Sequence, residues 1–328
     1  MTVRVGIVGC GLIGRRRASA LAGATLTVCA DVQPERAAAV AQSQSRVKVV
    51  PRFEELVRSS DVDVVIVATT NDMLATVSVA ALESGKHVFV EKPGGRTTAE
   101  IDRIAAAAAR HQKLVRVGFN HRYHPAFIAA REIVDAGTIG PLMFVRGRYG
   151  HGGRLGYESE WRADPARSGG GELIDQGVHL IDLSRCLLGR FAHVDGAAHT
   201  YFWHMPVDDN AFLRLTTAEG RVAFLHVSCT EWKNLFSFEI YGTLGKLHIE
   251  GLGGSYGLER LMHYQMRPEM GPPDTVILEY PHPDQSWGVE FAEFLEDIRL
   301  GRQPAAGLEA ARDALAVVET VYHAGASR

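Results

Sequence analysis

Several features are scarce in this sequence of 328 residues, and each absence excludes a class of protein. The four cysteines are widely separated and form no Cys-x-x-Cys pair, which argues against a disulfide framework or a zinc site and favours a reducing compartment. No stretch of about eighteen apolar residues predicts a membrane span, and the apolar run Val3–Val8 is too short for a signal peptide. The net charge of −3 gives no reason to expect nucleic acid or an anionic membrane as partner. We therefore expect a cytoplasmic protein.

The composition is that of an ordinary globular protein, with 46% hydrophobic and 22% charged residues. A chain of this length is long for a single hydrophobic core. We predict two domains, residues 1–119 and residues 120–328.

The first domain begins with a dinucleotide-binding pattern. The β-branched run Val3–Val8 leads into Gly9–Gly14, which has the spacing G-x-G-x-x-G; a helical pattern follows, and a second apolar run ends in Asp31. Strand, glycine-rich turn, helix, strand and acid together are far more specific than three glycines alone. The order predicts a Rossmann unit.

Each glycine of this turn has a distinct expected role. Gly9 permits the tight turn, Gly11 lets a pyrophosphate approach the backbone, and Gly14 allows the helix to pack closely on the strand. The pyrophosphate would accept hydrogen bonds from amides at the helix N-terminus. The cofactor-binding residues predicted here are Gly9, Gly11, Leu12, Ile13 and Gly14.

Asp31 is placed to accept hydrogen bonds from the adenosine ribose, and its charge would repel a 2′-phosphate, which favours NAD over NADP. Arg36 weakens that preference because it can stack on the adenine or meet a phosphate, so NADP stays possible. We expect Arg15, Arg16 and Arg17 to form a largely solvated basic patch, although one of them can face the cofactor.

Strands and helices then alternate to about Phe119, which predicts a doubly wound parallel sheet. Two strands end in polar residues where the cofactor crevice is expected, at Thr69-Thr70-Asn71 and at Glu91-Lys92. From about Val194, strand-like runs follow one another without helices and predict a mainly antiparallel sheet. The fold class is therefore α/β: an N-terminal Rossmann domain plus a C-terminal α+β domain with an open sheet.

Lys92 precedes Pro93, and this Lys-Pro peptide bond can be cis, which would aim the ammonium group in a fixed direction. An ammonium there could donate to a substrate hydroxyl and stabilise a developing alkoxide. The alternative is an ordinary surface lysine before a turn.

Three glycines, Gly169–Gly171, precede a helix that should run to about Leu188. Asp175 and His179 stand four residues apart on it, so a carboxylate and an imidazole share one face, as a general acid–base pair requires. Two alternatives remain from spacing alone. The pair could be a local hydrogen bond on a surface helix, or it could join Asp182 in binding a metal.

These motifs together resemble the Gfo/Idh/MocA oxidoreductases, named for glucose–fructose oxidoreductase and inositol dehydrogenase. The residues that carry the resemblance are Gly9–Gly14, Thr69-Thr70-Asn71, Glu91-Lys92-Pro93 and Gly169–Asp182.

The resemblance implies that Lys92, Asp175 and His179 form the catalytic group and that no metal is needed, so that Asp182 orders the helix or its neighbours. This sequence departs from the family pattern at Thr70, where a proline is usual, and at Leu74, where a histidine is usual. Those departures affect the expected shape of the nicotinamide side of the site, not the choice of cofactor.

The resemblance also implies the remaining site residues and the partners. It adds Thr69, Thr70, Asn71, Glu91, Lys92, Trp161 and Arg162 to the cofactor-binding residues. It gives Lys92, Asn120, Arg122, Tyr123, Trp161, Asp175 and His179 as the residues near the substrate. Because an open sheet face commonly builds the subunit interface in this family, we expect a homo-oligomer, a dimer or a tetramer.

The implied reaction is NAD(P)-dependent hydride transfer to or from a ring secondary alcohol of a sugar, a nucleotide sugar or a cyclitol. His179 would take the hydroxyl proton while Lys92 binds the alcohol oxygen; the alternative makes Lys92 the proton carrier. Two other functions remain open, a non-catalytic NAD-binding regulator and an enzyme that cleaves glycosides with the help of NAD.

Overall fold

The structure is a computed structural model that describes residues 2–44, 46–269 and 271–326. The chain forms two compact units. The first contains the chain up to Phe119 together with Ala166–Gly169 and Trp287–Leu315; the second contains Asn120–Pro165, Gly170–Ser286 and the chain from Ala316. Both later segments of the first unit lie in the range 120–328 that the sequence assigned to the second domain.

The regular elements are numbered along the whole chain. The strands are β1 (Arg4–Val8), β2 (Thr25–Ala30), β3 (Lys48–Val50), β4 (Val64–Val67), β5 (His87–Glu91), β6 (Val115–Gly118), β7 (Leu142–Gly150), β8 (Phe191–His199), β9 (Asn210–Thr217), β10 (Val222–Ser228), β11 (Leu235–Gly242), β12 (Gly245–Glu250), β13 (Glu259–Gln265) and β14 (Asp274–Tyr280). The helices are α1 (Leu12–Ala18), α2 (Pro34–Gln42), α3 (Phe53–Arg58), α4 (Asn71–Glu83), α5 (Thr98–His111), α6 (Pro125–Asp135), α7 (Pro165–Ser168), α8 (Val178–Leu188), α9 (Ser286–Leu300) and α10 (Leu308–Ala326).

The first unit is built on a parallel sheet with strand order β3-β2-β1-β4-β5-β6. Its central strand β4 is an unbroken apolar run that is buried throughout, as expected of a strand covered on both faces. Helix α9 joins this core through Phe291 and Phe294, whose rings meet Phe89 edge-on at centroid distances of 5.6 and 5.9 Å. The predicted doubly wound sheet is confirmed.

The core of the first unit also contains a buried charge cluster, which corrects the prediction of a solvated patch for Arg17, whereas Arg15 and Arg16 are exposed as predicted. Arg17 is 1% exposed, and its guanidinium lies 4.2 Å from the ring centroid of Phe89 and 4.3 Å from that of Trp287. It donates to Glu91 at 2.6 Å and pairs with Glu290 at 2.8 Å. A buried arginine needs such carboxylate partners because an isolated charge is costly to desolvate.

A second buried arginine follows the same pattern. Arg116, also fully buried, donates to Asp297 at 2.5 Å and lies 3.3 Å from a carboxylate oxygen of Glu293. In both cases a carboxylate comes from α9, so this helix supplies charge as well as apolar surface to the Rossmann core.

The second unit contains a sheet with strand order β14-β13-β12-β11-β7-β10-β9-β8. All neighbours are antiparallel except β7 and β10, which confirms the predicted mainly antiparallel sheet. Helices α6 and α8 pack on one face, while the other face shows partly exposed Phe212, Phe224 and Ile277. Strand β13 was not predicted from the sequence.

Candidate functional site

The glycine-rich turn of the first unit has the geometry that its sequence predicts. Gly9 has a φ of +90°, and a Cβ added there would lie 2.4 Å from the carbonyl oxygen of Ala68. A Cβ on Gly14 would lie 1.9 Å from the carbonyl oxygen of Gly9. A Cβ on Gly11 would instead meet no described atom within 4 Å. Gly9 and Gly14 are therefore required by packing, whereas the space beside Gly11 is open to a ligand.

Asp31 is tied to the same turn. Its carboxylate accepts a hydrogen bond from the Cys10 amide at 2.6 Å and another from the Gln33 amide at 2.8 Å. Two oxygens can accept about four hydrogen bonds, so capacity for ribose hydroxyls remains. Leu12 is 74% exposed beside the turn, and Arg36 is also exposed.

The polar residues after β4 are fixed by short hydrogen bonds. Thr70 donates to the Asp72 carboxylate at 2.6 Å, and the Thr69 hydroxyl donates to the Thr70 carbonyl at 3.1 Å. The buried Asn71 amide donates to the carbonyl oxygen of Ser168 at 2.8 Å. Asn71 therefore holds the short segment that precedes the three glycines.

The residues after β5 have separate surroundings. The Lys92-Pro93 peptide bond is cis, as the sequence allowed, and Lys92 is half-buried. Glu91 is buried, and its carboxylate binds Arg17. Glu91 therefore belongs to the charge cluster of the first unit, and its contact with a cofactor stays a prediction.

The first unit therefore fits a dinucleotide. The opening beside Gly11 lies next to amides at the start of α1, where a pyrophosphate binds in Rossmann units. Asp31 follows β2 with acceptor capacity to spare.

In the second unit, Gly170 and Gly171 pack against an aromatic ring and backbone. A Cβ on Gly171 would lie 1.9 Å from the carbonyl oxygen of Asp208, and one on Gly170 would lie 2.2 Å from the Tyr322 hydroxyl. The buried Asp208 carboxylate accepts hydrogen bonds from the amides of Gly171 and Leu173 and from Tyr322. Burial raises the pKa of Asp208, although these three donors oppose the shift. The glycines thus serve close packing at the start of the helical segment.

That segment begins as a π-helical turn, Leu173–Gly177, and continues as α8, a detail that the sequence did not reveal. A turn of mixed π and α geometry takes about four residues, so Asp175 and His179 stay on one face. Both side chains are buried, His179 to 3% exposure. This excludes the alternative of a surface helix face.

Asp175 accepts a hydrogen bond from Arg162 Nε at 3.0 Å. The charge of Asp175 raises the pKa of Arg162, whose guanidinium lies 4.7 Å from the ring centroid of Trp161. The structure therefore joins three sequence-predicted residues in one contact group. Arg162 thus lies on the carboxylate of Asp175, and its contact with a cofactor stays a prediction.

His179 contacts rings that the sequence analysis had not assigned to the site. The His121 ring stacks on it at a centroid distance of 3.8 Å and an interplanar angle of 27°. Tyr149 lies edge-on at 6.1 Å. Burial raises the pKa of Tyr149 well above its usual value, and a hydrogen bond with the half-buried Tyr256 adds to the shift. His121 stands between two predicted substrate residues, and its position there is the only signal that could have found it.

The other predicted substrate residues are held inside the second unit. Arg122 donates to Asp182 through Nε at 2.7 Å and Nη2 at 2.5 Å, with its side chain 10% exposed. This buried pair joins Arg122 to Asp182 of α8, and the substrate contact of Arg122 stays a prediction. Asn120 donates to Ser286 at 3.0 Å, and Tyr123 is buried.

Within the described ranges 2–44, 46–269 and 271–326, no group of three or more His, Cys, Asp or Glu side chains could hold a metal ion. No helix in these ranges is long and apolar enough to cross a membrane.

Two family models match separate stretches of this chain. Residues 3–119 match the sequence model described as "Oxidoreductase family, NAD-binding Rossmann fold", and residues 127–248 match the GFO/IDH/MocA C-terminal domain. The chain belongs to the Gfo/Idh/MocA family. It is an NAD-binding oxidoreductase of that family, which confirms the resemblance and the cofactor inferred from the sequence.

Curated Gfo/Idh/MocA relatives resemble this chain over different lengths. Levoglucosan dehydrogenase of Pseudarthrobacter phenanthrenivorans is 27% identical over 75% of this chain and 73% of its own. Inositol 2-dehydrogenase of Salmonella paratyphi B is 36% identical over 45% of this chain, and the match spans about half of its own length (46%). The solved complex of levoglucosan dehydrogenase with NADH and levoglucosan shares the fold, with a TM-score of 0.89, 23% identity and coverage of 100% of this chain and 98% of that one.

Proposed function

We propose that this protein oxidises a ring secondary alcohol of a sugar or cyclitol with NAD, or catalyses the reverse reduction. The observation that carries the proposal is the buried pair Asp175 and His179, on one face of a helical turn, in a chain whose first unit is an NAD-binding Rossmann domain. The relatives named levoglucosan dehydrogenase and inositol 2-dehydrogenase support a polyhydroxylated ring as substrate. Nucleotide sugars remain within the proposed class.

Each residue has a proposed task. When NAD is bound, its nicotinamide ring would supply the acceptor for the hydride that leaves the carbon bearing the hydroxyl. His179 accepts the hydroxyl proton as general base, and Lys92 donates a hydrogen bond to the alcohol oxygen as negative charge develops there. Asp175, held by Arg162, shares one helix face with His179 and orients its imidazole. The alternative in which Lys92 carries the proton makes the same groups essential.

The proposed cofactor preference is NAD over NADP. Asp31 is fixed by two backbone amides, so its carboxylate cannot turn away from a ribose 2′-phosphate without losing both hydrogen bonds. Nothing in the fold or in the comparisons favours a non-catalytic regulator or a glycoside-cleaving enzyme.

The test is an NAD-reduction screen over sugars, anhydrosugars, cyclitols and nucleotide sugars, followed by absorbance of NADH. We expect turnover with at least one ring alcohol, and its loss in His179→Asn with NAD affinity retained. Turnover that survives in both His179→Asn and Lys92→Ala would refute the proposed site. Glycoside cleavage without net NADH formation would refute the proposed reaction.

We also propose that the chain forms a homo-oligomer through the open face of its second sheet. Phe224 on β10 is 55% exposed, Ile277 on β14 is 55% exposed and Phe212 on β9 is 39% exposed, and these apolar side chains favour burial against an identical face. Light scattering of the wild type should give a dimer or tetramer, and Phe224→Asp should shift it towards monomer. A monomeric wild type would refute this assembly.

A further inference from the structure

Two histidine rings lie face to face inside the second unit. His121 comes from the 3-10 turn Asn120–Tyr123 and His179 from α8, and both side chains are buried, at 6% and 3% exposure. A centroid distance of 3.8 Å with an interplanar angle of 27° is a stacked contact, so the plane of one ring limits the rotation of the other.

Hydrogen bonds on the side chain of Asn120 hold the His121 ring. Its Nδ1 lies 3.2 Å from Asn120 Oδ1, and the Asn120 amide nitrogen donates to Ser286 Oγ at 3.0 Å. Because Asn120 uses its nitrogen as donor to Ser286, its oxygen is the acceptor, and His121 Nδ1 carries the hydrogen. The Ser286 amide in turn donates to Asp284 at 2.9 Å. This series of hydrogen bonds and the packing of neighbouring rings together hold the plane that His121 presents to His179.

The remaining neighbours of His121 are mainly aromatic. Tyr149 on β7 lies 5.1 Å away between ring centroids and Phe236 on β11 lies 5.8 Å away. His124 meets the ring edge-on at 5.6 Å, and its own Nδ1 lies 2.9 Å from the buried Glu259 carboxylate. The ring stacked on His179 is thus an imidazole whose Nδ1 is hydrogen-bonded and whose neighbours include the rings of Tyr149 and Phe236.

We propose that His121 is a positioning residue that acts through His179, holding the imidazole in the plane from which it accepts the substrate proton. The inference rests on the proposed function, because it takes His179 as the acid–base group. A rotation of that ring would move its nitrogen out of line with the hydroxyl, and small misplacements of a reacting group are costly to turnover.

The test separates the ring from its polar atoms. His121→Phe keeps a stacked ring and removes the donor to Asn120, whereas His121→Gln keeps a donor and removes the ring. With NAD and levoglucosan or inositol as probe substrates, we expect His121→Phe to retain kcat within about threefold and His121→Gln to lose at least about tenfold, both with KM little changed. The matched control is His124→Gln, which keeps a donor to Glu259, lies in the same segment and does not stack on His179; its kcat should stay within about twofold.

A double-variant cycle distinguishes this inference from the proposed function. If His121 acts through His179, His121→Gln should cause no further loss in a His179→Gln background. Equal loss in the Phe and Gln variants, or additive loss in the double variant, would overturn the inference alone. Full activity in His179→Gln would overturn both.

If neither probe substrate turns over, the same variants are compared by the proton NMR resonance of the His179 ring. This resonance is assigned by its absence from the spectrum of His179→Gln. The stacked ring shifts that resonance upfield, so His121→Gln should move it downfield and His121→Phe should not. An unchanged resonance in His121→Gln would overturn the inference.

Discussion

Replacing Arg17 with methionine is the sharpest test of how the first unit is stabilised. Methionine fills a similar volume, so Arg17→Met leaves Phe89 and Trp287 with an apolar side chain between them. It removes the cation that pairs with the buried carboxylates of Glu91 and Glu290. The variant therefore tests charge pairing with little change in packing.

The expected cost is large because two carboxylates lose one shared partner. Removing one member of a buried ion pair costs about 3–5 kcal/mol of unfolding free energy. Burial raises the pKa of Glu290 to about 7, with the charge of Glu91 adding to the shift and Arg17 opposing it. Because Arg17 opposes that shift, its removal raises the pKa of Glu290 further, so the loss of unfolding free energy should be greatest at alkaline pH and shrink as the pH falls. We expect a loss of about 3–5 kcal/mol at pH 8.

Urea unfolding followed by tryptophan fluorescence measures this change, because Trp287 lies in the first unit and reports on its unfolding. Arg15→Met is the matched control: Arg15 is an exposed residue of the same helix, and its replacement should cost less than about 0.5 kcal/mol. Adding Glu290→Gln to Arg17→Met should recover part of the loss by removing one unpaired charge. A loss no larger than that of the control would refute the assigned role of the cluster.

The remaining predictions concern cofactor, pH and catalysis. Asp31→Ala should weaken NAD binding and reduce discrimination against NADP in titration calorimetry; unchanged NAD affinity would exclude the ribose contact. Gly14→Ala should abolish NAD binding, since its Cβ would overlap a carbonyl oxygen at 1.9 Å, and retained affinity would contradict that packing. The folded-state pKa of Glu290 is about 7 and its ordinary value is 4.5, so its contribution to the free energy of unfolding is complete below about pH 4.5 and is lost as the pH rises through 7. Urea unfolding of Glu290→Gln over this pH range should lack that fall in stability. An identical pH dependence in the variant and the wild type would disprove the assignment. Lys92→Ala and His179→Ala should each lower kcat at least about a hundredfold with NAD affinity unchanged, and a smaller loss in both would remove them from the chemistry.

Features that depend on backbone geometry could be predicted from the sequence. The roles of Gly9, Gly11 and Gly14 follow from local sterics, and the positive φ and close contacts of the structure agree with them. Strand β9 (Asn210–Thr217) lies in the region after Val194 where the sequence predicts successive strands, because alternation with period two is also a local signal. Local rules fix such elements whatever surrounds them.

The partners of charged side chains could not be predicted in the same way. Arg17 looked like part of a solvated patch, yet it pairs with Glu290, and nothing near Arg122 in the sequence points to its partner Asp182. In each case the partner lies far along the chain, and no local pattern encodes it. A buried arginine must find a carboxylate, but the sequence does not say which one.

The same reasoning explains why the Rossmann unit extends beyond the part of the chain that matches the NAD-binding family model. Residues 3–119 contain all six strands of the parallel sheet, but Arg17 and Arg116 are buried among them with carboxylates that come from α9. The rings of Phe291 and Phe294 cover Phe89 from the same helix. Without that helix, two arginines and an apolar face would be left without the partners that bury them. The segment Trp287–Leu315 is therefore a structural part of the cofactor-binding unit, and the strand end that carries Lys92 depends on it through Glu91 and Arg17.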